Sequence, residues 1–168
     1  MTRELGSEQV LLVDDNPTNL QVLFKTLEGS GYRLLAARDG ESALYTAKRA
    51  HPALILLDVM MPGMDGFEVC ERLKADPDTA DIAIIFLSAL TDSQSKVHGL
   101  AIGGVDYIAK PFQADEVLAR VRTHVKIQRL ERALARRNSE LEDENQRILN
   151  AVEEVIFGLD VHGRISSM

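Results

Sequence analysis

Short apolar runs alternate with amphipathic stretches through the first two thirds of this chain. Val10–Val13, Tyr32–Ala37, Leu54–Leu57, Ala83–Leu87 and Val105–Ala109 read as five strands. Most are nearly unbroken apolar runs, as strands covered on both faces should be. Helical patterns lie between them. Asn16-Pro17 offers a cap and a first-turn proline, and Gly29 and Gly31 close that helix. Asp39-Gly40 opens a second helix through Arg49, which His51-Pro52 prevents from extending. A third is expected from Gly66 to Lys74, a fourth from Ser93 to Leu100, and a fifth starts near Ala114. Five strand–helix units in series predict an α/β fold, a parallel sheet with helices on both faces. Such sheets carry their sites at the carboxyl ends of the strands.

The fifth helical pattern does not stop where a single domain would. No Pro or Gly occurs from Ala114 to Ile156, so one continuous helix is predicted. Val117, Leu118, Val121 and Val125 should pack on the sheet. A second stripe then takes over, with Ile127, Leu134, Leu141, Ile148 and Val155 recurring every seven residues. Leu130 and Ala151 fill the alternate core position, but Arg137 and Glu144 fall there too. This predicts a homodimeric coiled-coil seam with two polar interruptions. Beyond it, Val155-Ile156-Phe157-Gly158-Leu159-Asp160 reads as a strand, Val161-His162-Gly163 as a turn and Arg164-Ile165-Ser166 as a second strand.

Composition narrows the classes. The 168 residues carry a net charge of −7 and a pI near 5.1, which gives no global field for nucleic acid or an anionic membrane. Seven basic residues between Arg120 and Arg137 face a single acid, Glu131, yet Arg122, Arg129, Arg132 and Arg136 fall on the outer face of the heptad. A solvated face is expected there, with no direct nucleic-acid contact. The single cysteine, Cys70, excludes an intrachain disulfide. No run of eighteen apolar residues occurs, and Met1–Gln9 is polar and acidic rather than a signal peptide, so a cytoplasmic protein is expected.

Residues with chemistry stand where the strands end. Asp14 and Asp15 follow the first strand, Asp58 the third, Ser88 the fourth and Lys110 the fifth. Clustered carboxylates repel unless a divalent cation sits among them. Hard oxygen ligands suit Mg²⁺. A carboxylate beside such an ion can attack phosphorus, and an ammonium and a hydroxyl can hold the phosphoryl oxygens. Each residue alone reads as a turn or a cap. Together, each at the end of a different strand, they point to phosphoryl transfer.

Val-Asp-Asp-Asn, Leu-Leu-Asp-Val-Met-Met-Pro-Gly-Met-Asp-Gly, Leu-Ser-Ala and Asp-Tyr-Ile-Ala-Lys-Pro-Phe together make residues 8–125 resemble a bacterial response-regulator receiver domain. The resemblance implies a flavodoxin-like sheet of order 2-1-3-4-5, with phosphoryl transfer to Asp58 from a sensor histidine kinase or phosphotransfer protein. It implies Mg²⁺ on Asp15, Asp58 and the Met60 carbonyl, with Asp14 acting mainly through water. It also implies phosphoryl oxygens on Ser88 and Lys110, a cis Lys110–Pro111 bond, and a switch in which Tyr107 moves with Ser88. By the same resemblance Met60 and Leu90 would flank the path of a hydrolytic water, and both are apolar here. Residues 126–152 are expected to form the signalling helix, and 153–168 resemble the opening of a PAS domain. The expected protein is a phosphorylated switch rather than an enzyme. The alternatives are the receiver part of a cyclic-dinucleotide enzyme or hybrid histidine kinase, and a protein adaptor; any output would lie beyond Met168.

Overall fold

The computed structural model describes residues 8–89 and 93–166. Five parallel strands, β1 (Gln9–Val13), β2 (Arg33–Ala37), β3 (Leu54–Asp58), β4 (Ala83–Ser88) and β5 (Asp106–Ala109), form one sheet in the order β2-β1-β3-β4-β5. The helices are α1 (Pro17–Leu27), α2 (Gly40–Ala50), α3 (Gly66–Ala75), α4 (Ser93–Ala101) and α5 (Ala114–Ser166). Strand β2 begins one residue later than the sequence suggests, as does β5, while β3 and β4 each run one residue further. Asp58 and Ser88 are therefore the last residues of their strands rather than the first of the loops.

The sheet separates two apolar layers, and alternate residues of each strand feed opposite ones. Val10, Leu12, Leu54, Leu56, Ile85 and Leu87 meet Leu20, Leu23 and Leu27 of α1 and Val117, Val121 and Val125 of α5. Leu11, Val13, Ile55, Leu57, Ile84 and Phe86 meet Ala43 and Ala47 of α2 and Val69, Cys70 and Leu73 of α3. Burying each Leu or Ile side chain contributes about 1.5–3 kcal/mol, which is why both layers specify the same register. Helix starts follow the capping rules: Asn16, Asp39 and Asp65 each accept a backbone N–H of the first turn. His51 ends α2 in the left-handed conformation at φ 49°.

The compact body runs through Arg129, and a second unit begins at Leu130. The last turn of the body is held by a residue the heptad does not single out. Gln128 is buried and its side-chain amide donates to the Asp81 carbonyl, while Arg129 pairs with Glu8 at 3.4 Å. From Leu130 onward the chain is helical to Ser166, which corrects three expectations: the strands read at Val155–Asp160 and Arg164–Ser166, and the turn read between them at Val161–Gly163, are all helix. A lone hairpin buries no core, whereas a helix satisfies each backbone group from its own segment. The two interior glycines, Gly158 and Gly163, at roughly 1 kcal/mol each, do not interrupt it. Among the described residues no helix is long and apolar enough to cross a membrane.

Candidate functional site

Parallel strands β1, β3 and β4 are adjacent, so their carboxyl ends bring Asp14, Asp58 and Ser88 to one edge of the sheet. Asp14 is fully enclosed and Asp58 almost so, while Asp15 stays partly open. Their carboxylate oxygens lie within 4.8 Å of one another. Lys110, just after β5, reaches across β4 to both buried acids: its Nζ is 2.9 Å from Asp58 Oδ1 and 3.2 Å from Asp14 Oδ2. The Lys110 backbone N–H donates to the Ser88 carbonyl at 3.0 Å, which ties the β5 turn to the end of β4. The following Lys110–Pro111 bond is cis.

The loop after β3 is built to hold Asp58. The Met60 N–H donates to Asp58 Oδ1 at 3.3 Å, and the Gly66 N–H donates to the Val59 carbonyl at 2.9 Å. Gly63 makes the turn at φ 76°. Gly66 packs so closely that an added Cβ would overlap the Asp58 carbonyl. Gly66→Ala must therefore move the acceptor's own backbone, and a loss of about 3 kcal/mol or more is expected in denaturant unfolding. A loss under about 0.5 kcal/mol, the range of an ordinary surface change, would contradict that packing. The three methionines of the loop divide: Met61 is buried, Met64 packs against Gly40, and Met60 is 63% exposed.

Burial pushes the Asp58 carboxyl up to about 6, with the Lys110 hydrogen bond opposing it and the Asp14 charge adding to it. Burial alone would lower the Lys110 ammonium, but the Asp58 hydrogen bond and charge, joined by Asp14, reverse this and hold it above its ordinary value. One ammonium thus meets a cluster of three carboxyl groups, one of them pushed up to about 6. That donor set, hard oxygens only and in electrostatic excess, fits a small divalent cation such as Mg²⁺ and does not fit a thiophilic metal.

A match to the response regulator receiver domain covers residues 10–122. The chain belongs to the response regulator receiver family. Its relatives include the DNA-binding dual master transcriptional regulator RpaA of Synechocystis, 43% identical over 114 residues, which make up 68% of this chain and 47% of that protein. Response regulator PleD of Caulobacter vibrioides is 43% identical over 117 residues, 70% of this chain and 26% of its own. The receiver thus spans about half or less of the length of these curated relatives. Among solved structures, the receiver domain of sensor histidine kinase PA1611 from Pseudomonas aeruginosa superposes with a TM-score of 0.66 at 30% identity, covering 72% of this chain and 99% of that one. That structure holds a magnesium ion coordinated in the active-site cleft. The receiver domain of Francisella response regulator 1452 matches at a TM-score of 0.66 and 33% identity, over 71% and 97% of the two chains.

The receiver gathers Asp14, Asp15, Asp58, Lys110 and the Met60 backbone at one point, with Ser88 at the adjacent strand end. Tyr107 lies apart from this group. It is half-buried on the edge strand, meets Phe86 at a 40° tilt with centroids 5.4 Å apart, and donates its hydroxyl to the Ser95 carbonyl of α4 at 3.3 Å. Leu90 lies outside the described residues. Ile127, Leu130, Leu134, Leu141 and Ile148 all face solvent. The apolar surface near the helix end is broader than the heptad indicates, because Leu149, Val152, Ile156 and Phe157 are exposed as well. A polar cluster joins β5 to α5, around Asp106 and Arg120, where the sequence also offers a rival face for pairing. Arg120 Nη1 donates to both carboxylate oxygens of Asp106 at 2.7 Å, and His124 Nε2 lies 3.0 Å from Asp106 Oδ2. Burial works to raise the Asp106 carboxyl, but these partners and the Tyr107 N–H hold it below its ordinary value.

Proposed function

We propose that this receiver accepts a phosphoryl group on Asp58 from a sensor histidine kinase or phosphotransfer protein, and relays the change to an output through paired copies of α5. The observation that carries the reading is the Asp58 carboxylate at the end of β3, buried beside two further acids and bonded by Lys110. An Asp58 oxygen attacks phosphorus; the new O–P bond forms as the bond to the donor breaks, and the donor leaves with its electron pair. Lys110 releases Asp58 Oδ1 and, with the Ser88 hydroxyl, takes the phosphoryl oxygens. Asp15, Asp58 and the Met60 carbonyl would hold Mg²⁺, with Asp14 assisting through water. The ion supplies neutralisation of the carboxylates and of the phosphoryl oxygens. Tyr107 then moves with Ser88, a two-position element biased by local charge.

Acetyl phosphate tests the reading without a kinase. Mass spectrometry should find one phosphoryl adduct in Mg²⁺ buffer and none after chelation. Equal labelling in both would contradict the proposed role of the carboxylate cluster.

The phosphorylated state should be long-lived, because hydrolysis requires a water held in line with phosphorus. The exposed Met60 side chain has no group to hold it, and Leu90 is also apolar. Met60→Asn with Leu90→Glu should speed decay about tenfold or more, each new side chain being able to bind the attacking water. Unchanged decay would show that these positions do not control water.

For the relay, the exposed row Leu130, Leu134, Leu141, Ile148 and Val155 supports pairing with a second copy. A parallel pair keeps both receivers at one end. The seam from Ile127 to Val155 would be about 42 Å long. The PAS-like reading of residues 153–168 rests on their sequence.

A further inference from the structure

Gly99 occupies the interior of α4, where glycine is a poorer helix former than alanine, and it is buried. The reason lies beneath it. A methyl group on Gly99 would sit 2.9 Å from Cε2 of Tyr107 and 3.0 Å from Cδ2 and Cε2 of Phe86. The two rings differ in their freedom to yield. Phe86 is fully buried in β4 and meets Phe67 edge-on, with centroids 5.3 Å apart. Tyr107 is on the edge strand and half-buried. Helix α4 therefore gives Tyr107 two things one turn apart: a carbonyl anchor at Ser95 and clearance for the ring at Gly99.

We propose that Gly99 is a positioning residue for the switch, its missing side chain forming the slot that Tyr107 fills beneath α4. Residue 99 then sets how readily the site takes a phosphoryl group. This rests on the reading that couples Tyr107 to Ser88 and Asp58. Linkage supplies the connection: the proposal assigns the observed ring position to the phosphorylated state, and a group that raises the energy of that position weakens binding of a phosphoryl mimic by the same factor. Gly104 has a different task. The atoms nearest an added Cβ there belong to Phe86 of β4 and the Gly99 carbonyl of α4, so it lets the turn before β5 pack closely on both rather than serving Tyr107.

The test is a beryllofluoride titration of the full chain in Mg²⁺ buffer, followed by the bound fluoride resonances. Gly99→Ala should raise the midpoint about tenfold by depopulating the competent state. In a Tyr107→Ala background the same change should move the midpoint by less than about twofold, because the nearer ring is gone and Phe86 can yield into the space it leaves. Equal shifts in both backgrounds would mean that the methyl acts through Phe86 or the fold at large, and would overturn the proposal. So would an unshifted midpoint in Gly99→Ala alone. Should Gly99→Ala fail to fold, recovery of folding in Gly99→Ala/Tyr107→Ala supports a direct collision, and continued unfolding overturns it. A wild-type chain that binds no beryllofluoride would remove the Asp58 reading itself, and this proposal with it.

Discussion

Replacing Asp58 by Asn should raise the thermal unfolding midpoint of the metal-free protein at pH 8 and abolish its stabilisation by Mg²⁺. Burial first, and the Asp14 charge with it, place the folded-state value of Asp58 at about 6, above the ordinary 3.8. A carboxyl raised in this way favours the folded state when protonated. Its contribution is fully present below pH 3.8 and is lost as pH rises through 6. At pH 8 the ionised group therefore costs about 2–3 kcal/mol, two pKa units at 1.36 kcal/mol each. Asn keeps the shape without the charge, and a gain of about 5–10 °C follows for a body of this size. Near pH 4 wild type and variant should differ little. Mg²⁺ at about a hundred times its dissociation constant should return about 2.7 kcal/mol to the wild type alone. A variant less stable than wild type at pH 8 would contradict the electrostatic account of the cluster.

Leu134→Glu with Leu141→Glu should weaken self-association by about two orders of magnitude or more, because two leucines that pairing would bury become like charges facing each other across the seam. Sedimentation equilibrium of the full chain reads this directly. A second chain, ended after Arg129, keeps the Gln128 amide on the Asp81 carbonyl and leaves the body intact. It should be monomeric at concentrations where the full chain is paired. Arg137 and Glu144 oppose pairing, since each would face its own copy. Arg137 is engaged along its own helix by Glu140 at 3.6 Å. If the double-glutamate chain and the shortened chain both pair as tightly as the full one, α5 does not hold the copies together.

The site was legible because its signal is local to strand ends. Asp15, Asp58, Ser88 and Lys110 each stand at or just after an apolar run, and a parallel sheet turns that linear rule into proximity. The same logic could not find Gln128. Its burial depends on the Asp81 loop arriving beside α5, a contact 47 residues away in sequence. Nor could it separate Met60, which is exposed, from Met61, which is buried. Gly99 reads in sequence as a weak point in a helix, and its purpose is visible only once Tyr107 lies under it. The strand expected at 155–160 failed for a related reason. Val155, Ile156 and Phe157 favour strands only where a sheet can receive them, and without one the helix continues.

The phosphoryl-acceptor claim is tested most directly by intact-mass analysis of wild type and Asp58→Asn after acetyl phosphate and Mg²⁺, with hydroxylamine to confirm an acyl phosphate. The wild type should gain a single adduct that hydroxylamine removes, and Asp58→Asn should gain none. Undiminished labelling of Asp58→Asn would contradict the assignment of Asp58 as the acceptor.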